Sequence, residues 1–208
     1  MGSSDEGVPP AEDAPTAGRG YSDRLRSLEG ARWRRLLNVQ APYRWHIRRL
    51  RLGRVLDVGC GLGRNLAHLD GNGVGVDHNA ASVAIARNRG LVAYTTEGFL
   101  TSGQAVPKSF DALLFAHVME HMDRASDLRL VEEFLPFLRS GGRVCFITPQ
   151  ERGYRSDSTH VQFVDFDGLR EIAAATGLHE LARYSFPFPR VAGSAFTYNE
   201  FVLLALKP

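Results

Sequence analysis

From Arg54 onward, the apolar positions alternate between short continuous runs and stretches with helical spacing. The continuous runs predict strands at 54–58, 73–77, 91–95, 110–116 and 143–148. Helical spacing predicts helices near 64–69, 79–89 and 124–139, and Gly141-Gly142 is expected to end the last of them. Strands and helices that alternate with short connections indicate a parallel sheet with helices on both faces.

The pattern changes after Pro149. An irregular polar stretch continues to about Val164, and a helix is predicted over 166–176. Two final strands are predicted near 178–185 and 200–206. The whole pattern therefore predicts an α/β fold with seven strands.

The N-terminal part differs from the rest. Residues 1–20 are rich in Gly, Ser, Pro and acidic residues, so we expect a disordered tail. Residues 21–208 fit one domain. Within it, residues 21–53 predict a helical cap made of a helix over 22–38 and a second helix that begins near Pro42.

Several classes of protein are excluded by composition. No apolar run reaches the roughly 18 residues of a membrane span, and the chain does not begin with a secretion signal. Cys60 and Cys145 fall on predicted strands or their ends, which indicates buried thiols and not a disulfide framework. We therefore expect a cytoplasmic protein.

Charge is unevenly distributed although the net charge is only +2. Ten arginines lie between residues 24 and 54, while Lys108 and Lys207 are the only lysines. The arginines could serve a nucleic acid, an anionic substrate, a homodimer interface or simply the solvated faces of two helices. The shortage of lysine indicates a bias in composition, so a nucleic-acid partner is not expected.

A glycine-rich turn follows the first predicted strand. Gly59, Gly61 and Gly63 allow a sharp turn and a close approach of the backbone to a ligand. Asp57 lies inside the strand before them, and Asp77 ends the second strand 14 residues after Gly63. The arrangement is typical of a nucleotide-binding βαβ unit, but Gly-x-Gly-x-Gly lacks the spacing of a dinucleotide site.

Residues 54–207 resemble, in order, the class I S-adenosylmethionine-dependent methyltransferases. The residues Val55–Gly63 are similar to the first motif of that family, Gly75-Val76-Asp77 to the second, and 110–116 and 138–144 to the segments of the fourth and fifth strands. The resemblance implies a Rossmann-like, mostly parallel seven-stranded sheet with an N-terminal helical lid. It also implies S-adenosylmethionine as the cofactor.

In this family the glycine turn lines the amino-acid end of the cofactor, the acid in the first strand organises its ammonium, and the second acid accepts the ribose hydroxyls. Glu97 is expected near the adenine, with Phe99 packing beside it or lying in the core. The cofactor-binding residues that the resemblance implies are Asp57, Gly59, Gly61, Gly63, Asp77, His78, Glu97, Gly98, Phe99, Ala116 and His117.

The residues 117–121 follow the fourth strand. Their His-x-x-Glu-His pattern occurs in metalloproteases, but there it requires a helix. The loop is also similar to that of the ubiquinone-pathway catechol O-methyltransferases, which carries Glu-x-x-Glu-His and binds a divalent ion. Glu120 and His121 match it, and His117 replaces the first Glu, which disfavours Mg²⁺ and favours softer metals. Alternatively, His121 is a core residue or begins a helix without a metal.

The polar segment 152–160 follows the fifth strand and should reach the same edge of the sheet. His160 could accept a proton from a hydroxyl, complete a metal site with Glu120 and His121, or cap the next helix. The catalytic candidates are therefore His121, His160, Glu120 and His117. The substrate-binding candidates are Tyr154, Arg152, Arg155, Asp157, Tyr43 and Trp45.

A hydroxyl is a poor nucleophile until it loses its proton, so a site rich in histidine favours O-methylation. We expect a small polar acceptor, with a sugar or oligosaccharide favoured. Within the family, the chain is expected to be most similar to the sugar 1-O-methyltransferases of methylmannose polysaccharide synthesis. No single motif supports this narrower resemblance. The alternatives are a catechol or quinone precursor, RNA, and a subunit that binds the cofactor without catalysis.

Overall fold

A computed structural model describes residues 40–208, and this part of the chain forms a sheet of seven strands in the order β3-β2-β1-β4-β5-β7-β6. The strands are β1 (Val55–Val58), β2 (Gly73–Asp77), β3 (Ala93–Thr95), β4 (Phe110–Ala116), β5 (Leu138–Pro149), β6 (His179–Phe186) and β7 (Glu200–Leu206). Strands β1 to β5 are parallel, and β7 runs antiparallel to both of its neighbours. The predicted Rossmann-like fold is confirmed.

The helices cover the sheet. They are α1 (Ala41–Arg49), α2 (Arg64–His68), α3 (Ala80–Asn88), α4 (Thr96–Leu100), α5 (Arg124–Phe134), α6 (Glu151–Arg155) and α7 (Phe166–Ala175). Short 3₁₀ turns occur at Met119–His121, Leu135–Phe137 and Arg190–Ser194. None of the helices within residues 40–208 is long and apolar enough to cross a membrane.

Part of the predicted N-terminal region cannot be compared with the structure. The tail 1–20 and the helix 22–38 lie outside the described residues. Of the predicted cap 21–53, the structure describes the second helix, α1, which has Pro42 in its first turn as expected.

The central strands are buried on both faces. On β4, Leu113 and Phe115 pack into one core layer, while Ala112 and Leu114 pack into the other with Ile47 of α1. All four strand residues are fully buried. Since each large apolar side chain stabilises the fold by about 1.5–3 kcal/mol when buried, these two layers hold the ends of the strands in fixed positions.

The structure corrects the role predicted for Gly141-Gly142. Helix α5 ends at Phe134, just before Pro136, which has no N–H to continue the helical hydrogen bonds. Gly141 lies inside β5 with a φ of 68°, and the register of β5 against β4 shifts around it. The two glycines therefore form an irregularity in a strand and do not end a helix.

Candidate active site

The functional candidates meet at the edge where the parallel strands end. Strands β1, β2, β4 and β5 all point their C-terminal ends to this edge. Because β7 is antiparallel, its first residue, Glu200, pairs with Pro149 at the end of β5 and reaches the same edge. Ligands of open α/β sheets bind in the crevice at such an edge.

The glycine turn is tightly packed. Gly59, Gly61 and Gly63 all have positive φ, and a Cβ on Gly59 would lie 2.3 Å from Val118. The amides of Gly59 and Gly63 donate to the carbonyl oxygens of Val76 and Cys60. These two amides are thus paired within the fold, and the turn offers a ligand mainly a close approach to its backbone.

Asp77 ends β2 and faces the glycine turn. Its Oδ2 accepts the Gly61 N–H at 2.7 Å, and its Oδ1 accepts the Asn79 N–H at 2.8 Å. Each carboxylate oxygen has a second lone pair, so the fixed carboxylate can still accept two hydroxyl groups. Nδ1 of His78 lies 3.7 Å from Oδ1 of Asp77, and His78 lines the cleft with it.

Asp57 is completely buried in β1. Among the described residues, neither of its carboxylate oxygens has a hydrogen-bond partner of good geometry. Burial raises the pKa of Asp57 to about 7, against the opposing effect of the Asn65 side chain. A buried carboxylate without a partner is costly, so Asp57 stays a candidate to pair with a cationic or hydrogen-bonding ligand.

A cleft opens beside Asp77, and Asp57 is not among the residues that line it. The residues that line it are Val58, Gly59, Val76, Asp77, His78, Thr96, Val118, Met122, Leu130 and Phe134. Thr96 contributes to this lining, whereas Gly98 and Ala116 do not appear in it. Ala116 ends β4 with 8% of its surface exposed, and the N–H of Gly98 donates to Thr95.

The predicted adenine contacts need correction at Phe99. Its side chain is fully buried and packs edge-on against Phe137, with 5.0 Å between the ring centroids. Phe99 is therefore a core residue, which was the alternative interpretation. Glu97 is exposed in the first turn of α4. Burial raises the pKa of Glu133, and the negative charge of Glu97 raises it further.

His117 lies between two buried carboxylates. Its Nδ1 is 3.2 Å from Oε1 of Glu120, and its Nε2 is 2.9 Å from Oε1 of Glu200. Burial lowers the pKa of His117, but the hydrogen bonds to the two glutamates outweigh it and raise the pKa to about 10. A protonated imidazole neither accepts a proton nor binds a metal, so this raised pKa argues against the predicted role of His117 as a base.

Glu120, His121 and His160 come together as predicted. One potential ligand atom from each of them lies within 4.8 Å of the others. The Glu120 side chain is completely buried, and its Oε2 has no hydrogen-bond partner within residues 40–208. The three residues thus form a cluster with one carboxylate oxygen directed to no protein donor.

Both histidines of this cluster are held by main-chain carbonyl groups. Nδ1 of His121 lies 3.2 Å from the carbonyl oxygen of Thr159, and Nδ1 of His160 lies 2.7 Å from that of Tyr154. Because a carbonyl oxygen only accepts, each Nδ1 carries the hydrogen and Nε2 carries the lone pair. Burial lowers the pKa of His121 and keeps its ring neutral near neutral pH.

Hydrogen bonds hold the loop that carries His160 against the 3₁₀ turn Met119–His121. The N–H of Val161 donates to the carbonyl oxygen of Glu120 at 2.8 Å. The side-chain amide of Gln162 donates to the carbonyl oxygen of Met119 and to Asp127. The position of His160 therefore depends on Asp127 and Gln162, which the sequence did not indicate.

The predicted substrate-binding residues divide into two groups. Tyr154 stacks on His160, with 5.4 Å between the ring centroids, and Asp157 accepts two hydrogen bonds from Thr159 nearby. Arg152 donates to the Thr197 hydroxyl, and Arg155 is exposed. Tyr154 and Asp157 therefore lie next to the cluster, and the predicted substrate contacts of Arg152 and Arg155 stay predictions.

The two predicted substrate-binding residues on α1, Tyr43 and Trp45, have different surroundings. The Tyr43 hydroxyl donates to the carbonyl oxygen of Tyr198, which places it near the edge. Trp45, in contrast, is 55% exposed and lines a separate cavity with arginines of the same helix, one of which, Arg49, stacks on it. Trp45 does not line the cleft, so its predicted contact with the acceptor is corrected.

Two features of the site were missed from the sequence. Glu200 was treated as the first residue of a strand, although a carboxylate at the start of an otherwise apolar run is unusual. The rings of Phe188, Phe196 and Tyr198 also pack edge-on in a row just before it. Phe188 and Tyr198 keep almost half of their surface exposed, so the three rings form an aromatic wall in the segment that leads to Glu200.

The sheet order, the glycine turn and the two acids define a class I S-adenosylmethionine-dependent methyltransferase. The chain belongs to the family described as a methyltransferase domain, whose model matches residues 25–182. No match was found among curated protein sequences.

Solved methyltransferase structures share this fold. An S-adenosylmethionine-dependent methyltransferase from Archaeoglobus fulgidus is 18% identical, with a TM-score of 0.67, and the alignment covers 90% of this chain and 99% of that one. The magnesium protoporphyrin IX methyltransferase from Synechocystis, solved with bound S-adenosylhomocysteine, is 14% identical, with a TM-score of 0.64 and coverage of 93% and 96%. A TehB-like methyltransferase from Corynebacterium glutamicum is 19% identical, with a TM-score of 0.63 and coverage of 92% and 100%.

Proposed function

We propose that this methyltransferase transfers the methyl group of S-adenosylmethionine to a hydroxyl oxygen of a small acceptor, with help from a divalent metal. The observation that carries the proposal is the cluster of Glu120, His121 and His160 at the edge of the sheet. Thiol and amine acceptors need little more than alignment, whereas a hydroxyl gains from a group that favours loss of its proton.

The cofactor fits the first part of the edge. Asp57 offers two unpartnered oxygens to the ammonium group, and Asp77 offers lone pairs to the ribose hydroxyls. S-adenosylmethionine would supply, when bound, an electrophilic methyl group on a cationic sulfur, with the neutral thioether as the leaving group when an oxygen takes the methyl group. The protein then has to align the two reactants, and orientation alone can lower the barrier by about 7–11 kcal/mol.

The donor set fits a metal. Glu120 offers a buried oxygen without a protein partner, and His121 and His160 each have Nε2 as the nitrogen with a lone pair. Two imidazoles and one carboxylate favour a transition metal such as Mn²⁺, Fe²⁺ or Zn²⁺ over Mg²⁺. A divalent metal supplies, when bound, a Lewis acid that makes an acceptor hydroxyl more acidic.

The main-chain carbonyls of Thr159 and Tyr154 fix the two rings in the orientation that a ligand needs. Hydrogen bonds of this kind commonly hold metal-binding histidines in proteins. If no metal binds, the same orientation leaves His160 able to accept the hydroxyl proton at Nε2. Dependence on the metal therefore separates two mechanisms at the same site.

A sugar or short oligosaccharide is the first acceptor class that we propose. Tyr154 and Asp157 near the cluster suit a ligand with many hydroxyl groups, as do the exposed guanidinium of Arg155 and the aromatic surface of Tyr198. An aromatic diol of the catechol type is the second candidate. The observation that favours it is the exposed aromatic wall of Phe188, Phe196 and Tyr198.

A panel of acceptors tests the proposal. Sugars, catechols, amines and RNA are each incubated with the protein, Mn²⁺ and S-adenosylmethionine labelled on the methyl group. We expect label in a sugar or catechol fraction as a methyl ether. Label only in the amine fraction would contradict O-methylation, and label only in RNA would contradict a small acceptor. Cofactor binding without transfer to any class would support a non-catalytic subunit.

A further inference from the structure

We infer that Glu200 is a positioning residue, which acts through His117 to hold the Glu120 carboxylate in the orientation that binds a metal. This inference rests on the proposed function. The structure supports it with a continuous chain of contacts from β7 to the metal cluster.

The first link joins Glu200 to His117. Oε1 of Glu200 is 2.9 Å from Nε2 of His117, although 83 residues separate them in the sequence. Glu200 is 7% exposed and is fixed by the pairing of β7 with β5. Its carbonyl oxygen also accepts a hydrogen bond from the buried side chain of Gln150 at 3.0 Å.

The second link joins His117 to Glu120. Nδ1 of His117 is 3.2 Å from Oε1 of Glu120, while Oε2 is buried and has no hydrogen-bond partner within residues 40–208. One oxygen of this carboxylate lies within 4.8 Å of ligand atoms of His121 and His160. In the part of the chain that the structure describes, the contact with His117 is the one hydrogen bond that the Glu120 carboxylate makes. His117 thus fixes the orientation of this carboxylate beside the two histidines.

His117 needs the anchor that Glu200 supplies. Its main chain is fixed, because its N–H donates to the carbonyl oxygen of Ile147 at 2.9 Å, and its φ is 60°. The ring, however, keeps 42% of its surface exposed. With hydrogen bonds at both nitrogens, the ring has one orientation; without Glu200, it can turn toward solvent and release Glu120.

The test measures Mn²⁺ binding by calorimetry in the full-length protein, without an acceptor. Loss of a residue that orients a metal ligand typically weakens binding 10–100-fold. We expect Glu200→Ala to weaken Mn²⁺ binding by about this factor. Glu200→Gln keeps an oxygen that can accept from His117, so it should restore most of the affinity. The control is Glu180→Ala, at the far end of the β6–β7 hairpin, which should bind Mn²⁺ like the wild type.

A double variant excludes a general structural effect. If Glu200 acts through His117, then His117→Ala should weaken binding as much as Glu200→Ala, and the double variant should be no weaker. Equal Mn²⁺ binding by wild type and Glu200→Ala would overturn the inference alone. A wild-type protein that binds S-adenosylmethionine but no Mn²⁺ would overturn the metal in the proposed function and this inference with it. If Glu200→Ala does not fold, Glu200→Gln and His117→Ala carry the test. Near-wild-type Mn²⁺ affinity in Glu200→Gln with a loss of about 10–100-fold in His117→Ala supports the inference, and wild-type affinity in His117→Ala overturns it.

Discussion

The two parts of the functional edge are built in different ways. The cofactor half consists of Asp57, the glycine turn 59–63 and Asp77, all within one strand–turn–helix–strand unit. The acceptor half consists of the segment 117–121, His160 and Glu200, which come from three distant parts of the chain. In the cofactor half, main-chain amides of the same unit hold Asp77. In the acceptor half, the two histidines are held by main-chain carbonyls, and the carboxylates of Glu120 and Glu200 are held by the side chain of His117.

The difference matters for function. A unit held by its own main chain can keep one cofactor site while the rest of the edge varies. The acceptor half depends on contacts between side chains, so single substitutions there can change which group binds. We therefore expect variants of one half to leave the binding property of the other half unchanged, and the following predictions test this separation in order of decreasing effect.

The largest effect, a loss of folding stability, is expected at Gly59, where the two halves are in contact. Gly59→Ala would place a Cβ at 2.3 Å from Val118, in a residue with a φ of 74°. Left-handed strain and the steric clash should together destabilise the protein by about 4 kcal/mol. Gly71→Ala is the matched control, because its φ is 76° and nothing lies within 4 Å of the added atom, so only about 1–2 kcal/mol of strain is expected. Chemical denaturation of both variants measures the difference, and equal losses would show that the clash with Val118 is relieved without cost.

The next largest effect is the dependence of folding stability on pH, which we expect Asp57 to cause. Its pKa of about 7 lies above the ordinary value of 3.8, so the folded protein binds the proton more tightly than the unfolded chain does. Stability should therefore fall as the pH rises from about 4 to 7, and Asp57→Asn should remove this fall. The free energy of unfolding of Asp57→Asn, relative to that of the wild type, should increase by about 2–4 kcal/mol between pH 4 and pH 8. Denaturation curves at several pH values measure it, and a constant difference would contradict the pKa.

Asp57→Asn should also weaken the binding of S-adenosylmethionine, since the amide cannot pair with its ammonium as a carboxylate does. Asp127→Asn is the matched control, because burial raises the pKa of Asp127 to about 8 as well, but Asp127 belongs to the support of the acceptor half. Both variants should show the same pH trend in stability. Only Asp57→Asn should lose cofactor affinity, and loss in both would contradict the separation of the halves.

A somewhat smaller effect is expected for Asp77→Ala. Loss of two hydrogen bonds between a carboxylate and the ribose hydroxyls should weaken S-adenosylmethionine binding by about 2–3 kcal/mol, or roughly 30–150-fold. Calorimetric titration measures this, with Asp70→Ala, an exposed acid paired with Arg48, as the control. Unchanged affinity would overturn the assignment of Asp77 to the ribose.

The smallest effect concerns RNA. If the arginines of α1 only face solvent, single-stranded RNA should bind weakly at physiological salt, and methyl transfer should not depend on salt concentration. Binding that falls steeply as salt increases would indicate phosphate contacts and would favour the RNA alternative. The homodimer expected from the arginine-rich helices also stays a prediction, which sedimentation can test.

The sequence predicted the cofactor half well because its residues are neighbours in the chain. The predicted strands 73–77, 110–116 and 200–206 agree with β2, β4 and β7. The errors occur where a third element decides the outcome. Trp45 faces away from the cleft because Tyr43 and Ile47 occupy the packed side of α1, and Phe99 is in the core because four phenylalanine rings cluster there.

In the acceptor half, the sequence predicted the members of the cluster but not their support. Glu120, His121 and His160 were expected together because all three follow strands that end at the same edge. The contact of Glu200 with His117 depends on the antiparallel pairing of β7, which no local pattern shows. The same contact turns His117 from a candidate base into a charged partner of two carboxylates.

The most direct test of the whole account is methyl transfer to a hydroxyl acceptor in the presence of excess EDTA, with S-adenosylmethionine binding measured on the same sample. We predict that EDTA abolishes transfer, that added Mn²⁺ restores it, and that the affinity for the cofactor does not change. Full transfer in EDTA would contradict a metal held by Glu120, His121 and His160 and would leave His160 as the base.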